Sequence, residues 1–324
     1  MDPLLKENAM ADLAQRILSG DGIALARTAT LIQKRSEQAT ALLRELFPHT
    51  GKALIASFIG PPGVGKSTLV DQTSRLLREK NNSVGIIILD FEAASSGELL
   101  GDRIRMIDDH LDLKVFVRSV SCRGCLETAV AADMAILLDA AGTDVVFIDA
   151  VGIQQSEVGI ARQSDIVVRV LAPGSGACDQ ASADAIPELA NVFVVNKADQ
   201  AGATELESKV KLHVSSVPRK DSRLPPVIST VATESRGIEE LVSNIQAVYA
   251  MGRSTRQVDT WEQRLGEMLS ERLCRSVPRS EIYRGTRDIV EHRRDPLPSS
   301  RTALGACTAF IDPDTTIPIS CDAT

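Results

Sequence analysis

No apolar run in the chain approaches the roughly 18 residues that a membrane-crossing helix needs, and the opening MDPLLKENAMADL lacks the cationic start and apolar core of a secretion signal. An excess of positive charge is missing too. The 36 Lys and Arg are outnumbered by 43 Asp and Glu, giving a net charge of −7 and a pI of about 5.3, which argues against a protein that gains affinity by neutralising nucleic-acid phosphates. Cysteine is scarce: six occur in 324 residues, at positions 122, 125, 178, 274, 307 and 321, which suits a reducing compartment better than a disulfide framework. These absences together predict a cytoplasmic chain with neither a membrane nor a nucleic acid as partner.

What is present in strength is GPPGVGKST, residues 60–68, which satisfies G-x-x-x-x-G-K-[ST] at every specified position. The apolar run ALIASFI precedes it and the helically spaced TLVDQTSRLLREK follows it, so the loop joins a buried strand to a helix, as this motif requires. Gly60, Gly63, Val64 and Gly65 then form a backbone cradle for phosphate oxygens at the positive end of the new helix. Lys66 is expected to reach the β- and γ-phosphates. The hydroxyl of Ser67 is expected on Mg²⁺, with Thr68 beside it, because that hard cation takes oxygen ligands shared with the nucleotide.

The segments ALIASFI, VGIIILD, LKVFV, DVVFID, DIVVRVL, NVFVVN and PPVIST read as seven strands separated by helical patterns. They predict an α/β fold of the P-loop NTPase kind, a mostly parallel sheet with helices on both faces. Ligands of such sheets lie at the carboxyl ends of the strands, and the candidate residues fall there. Asp90 closes the second strand. Asp149 closes DVVFID and opens D-x-x-G, in which the Asp bears on Mg²⁺ and Gly152 approaches the γ-phosphate. Asn196, Lys197 and Asp199 form N-K-x-D at another strand end: the Asp199 carboxylate can accept from N1–H and the N2 amine of guanine, a donor pair adenine lacks, while Asn196 braces the loop and the Lys197 stem covers the base. The loop STVATES, with Ala232, is where a second guanine contact is expected.

The flanks divide the chain further. Residues 1–50 read as a helical extension, 51–250 as the nucleotide domain, 251–295 as a C-terminal helical segment and 296–324 as a tail without period. From Arg253 to Arg301 eleven arginines stand against eight acids and no lysine. The same segment carries a helical apolar stripe, Val258, Trp261, Leu265, Met268, Leu269 and Leu273, to be covered either by the chain's own domain or by a second copy.

In these motifs and in the segments LLGDRIRM, FVRSVSCRG, LLDAAGTDVVFIDAVGIQQSE and APGSG, the chain resembles the MeaB/ArgK family, relatives of the human MMAA protein, from about residue 12 to 250. The resemblance implies a homodimeric GTPase that binds GTP and GDP, hydrolyses GTP slowly, and acts as a nucleotide-gated chaperone for an adenosylcobalamin-dependent mutase such as methylmalonyl-CoA mutase. It also implies a metal site of Ser67, Asp90, Asp102 and Asp149. Asp102 has no reading apart from the resemblance. The chain departs from the family pattern in DFEAASS after the second strand, in Asp149 and Gln154 within DAVGIQQSE, in PGSGACDQASADA, where Ala177 and Ala183 stand in place of an Asp and a Lys, and in Val231 before Ala232. Ile153 follows Gly152 where Ras-like proteins carry a water-orienting Gln, so intrinsic hydrolysis is expected to be slow, with Gln155 as the candidate substitute. Two other functions compete with this one. Cys122 and Cys125 form a C-x-x-C that suits a metallochaperone GTPase, although no histidine or second cysteine pair of ligand spacing accompanies them and two thiols in a turn are the simpler reading; the other competitor is a GTP-binding scaffold with negligible turnover.

Overall fold

The computed structural model describes residues 3–90, 115–121, 127–151, 154–175, 189–216 and 224–251. Its centre is a seven-stranded parallel sheet: β1 (Leu54–Ile59), β2 (Val84–Asp90), β3 (Val115–Ser121), β4 (Val145–Val151), β5 (Ile166–Leu171), β6 (Val192–Val195) and β7 (Val227–Ser229), in the order β3-β2-β4-β1-β5-β6-β7. The seven strands expected from the apolar runs are all present. β1 lies between β4 and β5, where the chain stops building toward one edge and begins building toward the other. This reversal opens a crevice above the carboxyl end of β1, and the phosphate loop is the segment that leaves β1 there.

Strand bounds differ from expectation at several points, most at β3, which was expected over 113–117 and runs over Val115–Ser121 because β2 pairs with it along its whole length. β4 runs two residues past Asp149, because β2 continues alongside it and pairs Leu89 with Ala150 and Asp90 with Val151. β7 is three residues long, since Pro225 and Pro226 before it have no N–H to give a ladder.

The helices are α1 (Pro3–Leu18), α2 (Gly22–Gln33), α3 (Glu37–Leu46), α4 (Lys66–Glu79), α5 (Glu127–Ala140), α6 (Gln154–Arg162) and α7 (Ala203–Ser216), with a further helix, α8, over residues 238–251. Side chains alternate across each strand, and the two faces bury separate clusters. One cluster packs Ile87, Leu89, Val146 and Ile148 under α1, α2, α3 and α5. The opposite face packs Phe58, Phe147, Val168 and Val194 against Leu69, Val70 and Leu77 of α4 and Leu241 and Ile245 of α8. Phe58 and Phe147 meet edge to face with ring centres 5.4 Å apart. A third cluster joins Val167, Leu171, Phe193 and Val195 to Leu206, Val210 and Val214 of α7.

The first three helices therefore share a core with the sheet. Asp21 caps α2 by accepting from the N–H groups of Ile23 (2.8 Å) and Ala24 (3.2 Å), and Ser36 caps α3 through the Ala39 N–H, 3.2 Å away. Gln33 donates to the Ser119 carbonyl at 2.7 Å, and Arg118 donates to Thr30 at 2.9 Å, which ties α2 to the edge strand β3.

Asp139 at the end of α5 performs a similar task for the entry to β1. Its buried carboxylate accepts from the backbone N–H groups of Gly51 (2.6 Å), Lys52 (3.1 Å) and Ala53 (2.9 Å). Asp139→Ala strips three donors of their acceptor, and a loss of about 3 kcal/mol is expected, measured as a lower unfolding midpoint. A change under about 1 kcal/mol would mean that water replaces the carboxylate at no cost.

Candidate nucleotide site

The phosphate loop owes its path to glycines that nothing larger can replace. Gly63 and Gly65 sit at φ +74° and +94°, in the left-handed region that side chains avoid. A Cβ on Gly65 would overlap the Asn196 side-chain nitrogen, and one on Gly60 would overlap the Val170 carbonyl. Gly65 is also the N-cap of α4 and has no side chain with which to cap it, so the first-turn N–H groups of that helix are available to an anion in the loop.

Lys66 is 4% exposed, and its ammonium donates to the carbonyls of Gly60 (2.7 Å) and Pro61 (2.9 Å). Burial holds its pKa below the ordinary lysine value; the carboxylates of Asp149 and Glu157 oppose that shift, and the Arg169 guanidinium adds to it. A cation already stripped of water and surrounded by loop carbonyls is suited to a phosphate. One residue on, the Ser67 hydroxyl donates to Asp149 Oδ2 at 2.6 Å. Asp149 is fully buried on β4, so a hydroxyl from α4 and a carboxylate from the sheet converge at the mouth of the crevice.

The loops in which a purine was expected are organised by Asn196, itself buried just past β6. Its amide nitrogen donates to the Val64 carbonyl at 2.8 Å. Its amide oxygen accepts from the Thr230 hydroxyl (3.0 Å) and the Ala232 N–H (3.2 Å). One side chain thus clamps the phosphate loop to both loops in which guanine contacts were expected. The Ala198 N–H donates to the Thr230 carbonyl at 3.0 Å, and Lys197 takes a left-handed φ of 57°, so N-K-x-D turns sharply and leaves Asp199 exposed. The loop after β7 is braced in turn by backbone bonds between Val231 and Arg236 and by a 2.7 Å bond from Ser235 to Gln72 of α4.

The structure thus brings Gly60, Gly63, Val64, Gly65, Lys66, Ser67, Thr68, Asp149, Asn196, Lys197, Asp199 and Ala232 to one rim of the sheet. Asp90 ends β2 on the same rim, and Gln155 lies in the first turn of α6. Asp102, Gly152, Cys122 and Cys125 lie outside the described residues, as do the Arg-rich segment and the tail. Thr230, Glu157 and Arg169 escaped the sequence reading. Arg169 carries a signal, a lone charge in the otherwise apolar IVVRVL, because a buried strand cannot leave such a group without a partner. Among the described residues no three His, Cys, Asp or Glu gather as a metal cage. Ser67 and Asp149 nonetheless fit a hard cation that takes its other ligands from water and phosphate.

A parallel sheet with a phosphate loop at its reversal point and a guanine-type loop two strands away defines a P-loop GTPase. The chain belongs to the MeaB family: the family model described as methylmalonyl Co-A mutase-associated GTPase MeaB matches residues 25–281. A Pyrococcus abyssi protein under a provisional GTPase name is 41% identical over 241 residues, covering 72% of this chain and 74% of its own. The GTPase ArgK of Escherichia coli is 29% identical over 325 residues, covering 95% of this chain and 98% of its own. Among solved structures, one titled LAO/AO transport system kinase superposes with a TM-score of 0.64 at 24% identity, over 94% of this chain and 98% of that one; it agrees in fold. No helix among the described residues is long and apolar enough to cross a membrane.

Proposed function

We propose that the chain is a Mg²⁺-dependent GTPase of slow intrinsic turnover that reports its nucleotide state to an adenosylcobalamin-dependent mutase. The observation that carries this reading is the Asn196 clamp, which makes phosphate loop and purine loops one rigid unit. Lys66 neutralises the outer phosphates, and the main-chain N–H groups around Gly63 and Gly65 hold the inner ones. Ser67 and Asp149 hold Mg²⁺, with Asp90 and Asp102 completing the set that the family resemblance implies; the cation supplies charge neutralisation on the phosphate oxygens. Asp199 selects guanine. Gln155 orients the attacking water, and Gly152 gives its N–H to the γ-phosphate.

In the same reading the protein is cytoplasmic and works as a homodimer through residues 251–295, with residues 1–50 and 51–250 as one nucleotide-binding body and 296–324 as a tail. The mutase assignment draws on the family's description as mutase-associated. The test is GTP hydrolysis by the purified protein, with Mg²⁺ or with EDTA, alone and with a methylmalonyl-CoA mutase. Turnover that needs Mg²⁺ and rises at least about tenfold with the mutase is expected. Mg²⁺-dependent turnover indifferent to the mutase would sink the chaperone role and leave the GTPase standing.

A further inference from the structure

Behind the phosphate loop lies an ion pair that the nucleotide site does not use directly. Glu157, in α6, and Arg169, in β5, approach to 3.5 Å and are 5% and 3% exposed. Their positions in the fold are informative. Arg169 pairs in register with Ile59, the last residue before the phosphate loop, and its neighbour Val170 has its carbonyl against Gly60. Glu157 lies in the helix that begins three residues after the end of β4, the strand that carries Asp149. The pair therefore links the element that follows Asp149 to the strand against which the phosphate loop is packed, and both charges act on Lys66.

Stability gives little reason for two charges here. An apolar pair of the same volume generally holds two layers at least as well as a buried ion pair, because the charges must give up their water. What the charges add is one register: apolar surfaces tolerate sliding, whereas a guanidinium and a carboxylate with no water to screen them have one favourable alignment.

We propose that Glu157 and Arg169 are a positioning pair for GTP hydrolysis, fixing α6 against β5 so that the first turn of α6, with Gln155, keeps a single orientation toward Asp149 and Lys66. The inference builds on the GTPase reading above. It predicts a defect in turnover and not in nucleotide affinity, because neither residue belongs to the phosphate or purine loops.

The experiment combines Glu157→Gln with Arg169→Met, which removes both charges of the pair at nearly constant volume. Its melting temperature is expected within about 3 °C of the native value, with GDP affinity and the KM for GTP unchanged. Its kcat is expected to fall about tenfold or more, the scale on which small misplacements of reacting groups act. A native kcat in a folded double variant overturns the proposal and leaves the pair a core brace. If the double variant does not fold, Arg169→Lys decides: it keeps the charge and shortens the reach, so a lowered kcat at unchanged GDP affinity upholds the proposal and a native kcat overturns it. Native protein without GTP turnover in the same assay would instead count against the GTPase reading itself.

Discussion

Replacing Lys66 by alanine is expected to lower GTP turnover by about 10²–10³-fold, the usual scale for losing one donor aimed at transition-state charge. It is also expected to remove most of the thermal stabilisation that GDP gives the native chain. At 100 times its Kd a ligand contributes about 2.7 kcal/mol, which is roughly 5–10 °C for a domain of this size. The protein without nucleotide should respond quite differently. Burial lowers the Lys66 pKa below the ordinary 10.5, so in the folded chain this group holds its proton less tightly than in the unfolded chain, and its charge opposes folding at neutral pH. That opposition fades as pH rises from the folded pKa toward 10.5, a gain in stability that Lys66→Ala should lack. Against it stand the two bonds to Gly60 and Pro61, so the melting temperature without nucleotide should move little. Thermal melts with and without GDP separate the two effects. A Lys66→Ala variant still stabilised by GDP to the native extent would show that the phosphates bind elsewhere.

That contrast between a group serving the ligand and a group serving the fold was only partly readable from residue order. The loop at 60–68 could be read because glycine spacing, an apolar run before it and a helical run after it all point to one structure. The strands could be read because parallel strands buried on both faces are continuous apolar runs. Strand order is another matter: that β5 lies beside β1 while β4 lies on its other side is set by long-range pairing that leaves no local trace. Arg169 and Glu157 are 12 positions apart in sequence, and only the fold makes them partners. The Asn196 clamp was half legible. N-K-x-D points to a bracing Asn, but its partners Val64, Thr230 and Ala232 come from segments separated by more than a hundred residues. Residues 1–50 could be read as helical, yet nothing in their spacing says that these helices cover Ile87 and Ile148 instead of standing apart.

Asp199→Asn is expected to turn a guanine site into a xanthine site. Guanine presents N1–H and an N2 amine side by side, and one carboxylate accepts both; charge-assisted bonds of this kind contribute about 1.5–3 kcal/mol each. An Asn carbonyl can still accept from N1–H, but its amine then faces the N2 amine, donor against donor. GTP affinity should therefore fall by roughly 100-fold or more, a change of about 2.7 kcal/mol. Xanthine has a carbonyl oxygen in place of the N2 amine, so the Asn amine finds an acceptor and XTP should overtake GTP. The backbone is prepared for this exchange. Asp199 is exposed at the rim, and the turn that presents it is held through Asn196, the Ala198 N–H and Lys197 in its left-handed conformation, none of which the substitution touches. ATP should bind poorly to both forms, since adenine carries no N1–H and no amine at C2. Competition of GTP, XTP and ATP against a fluorescent GDP analogue reads all three affinities in one titration. An unchanged order of preference in the Asn variant would place base selection outside N-K-x-D, and a native protein that binds ATP as tightly as GTP would do the same without any substitution.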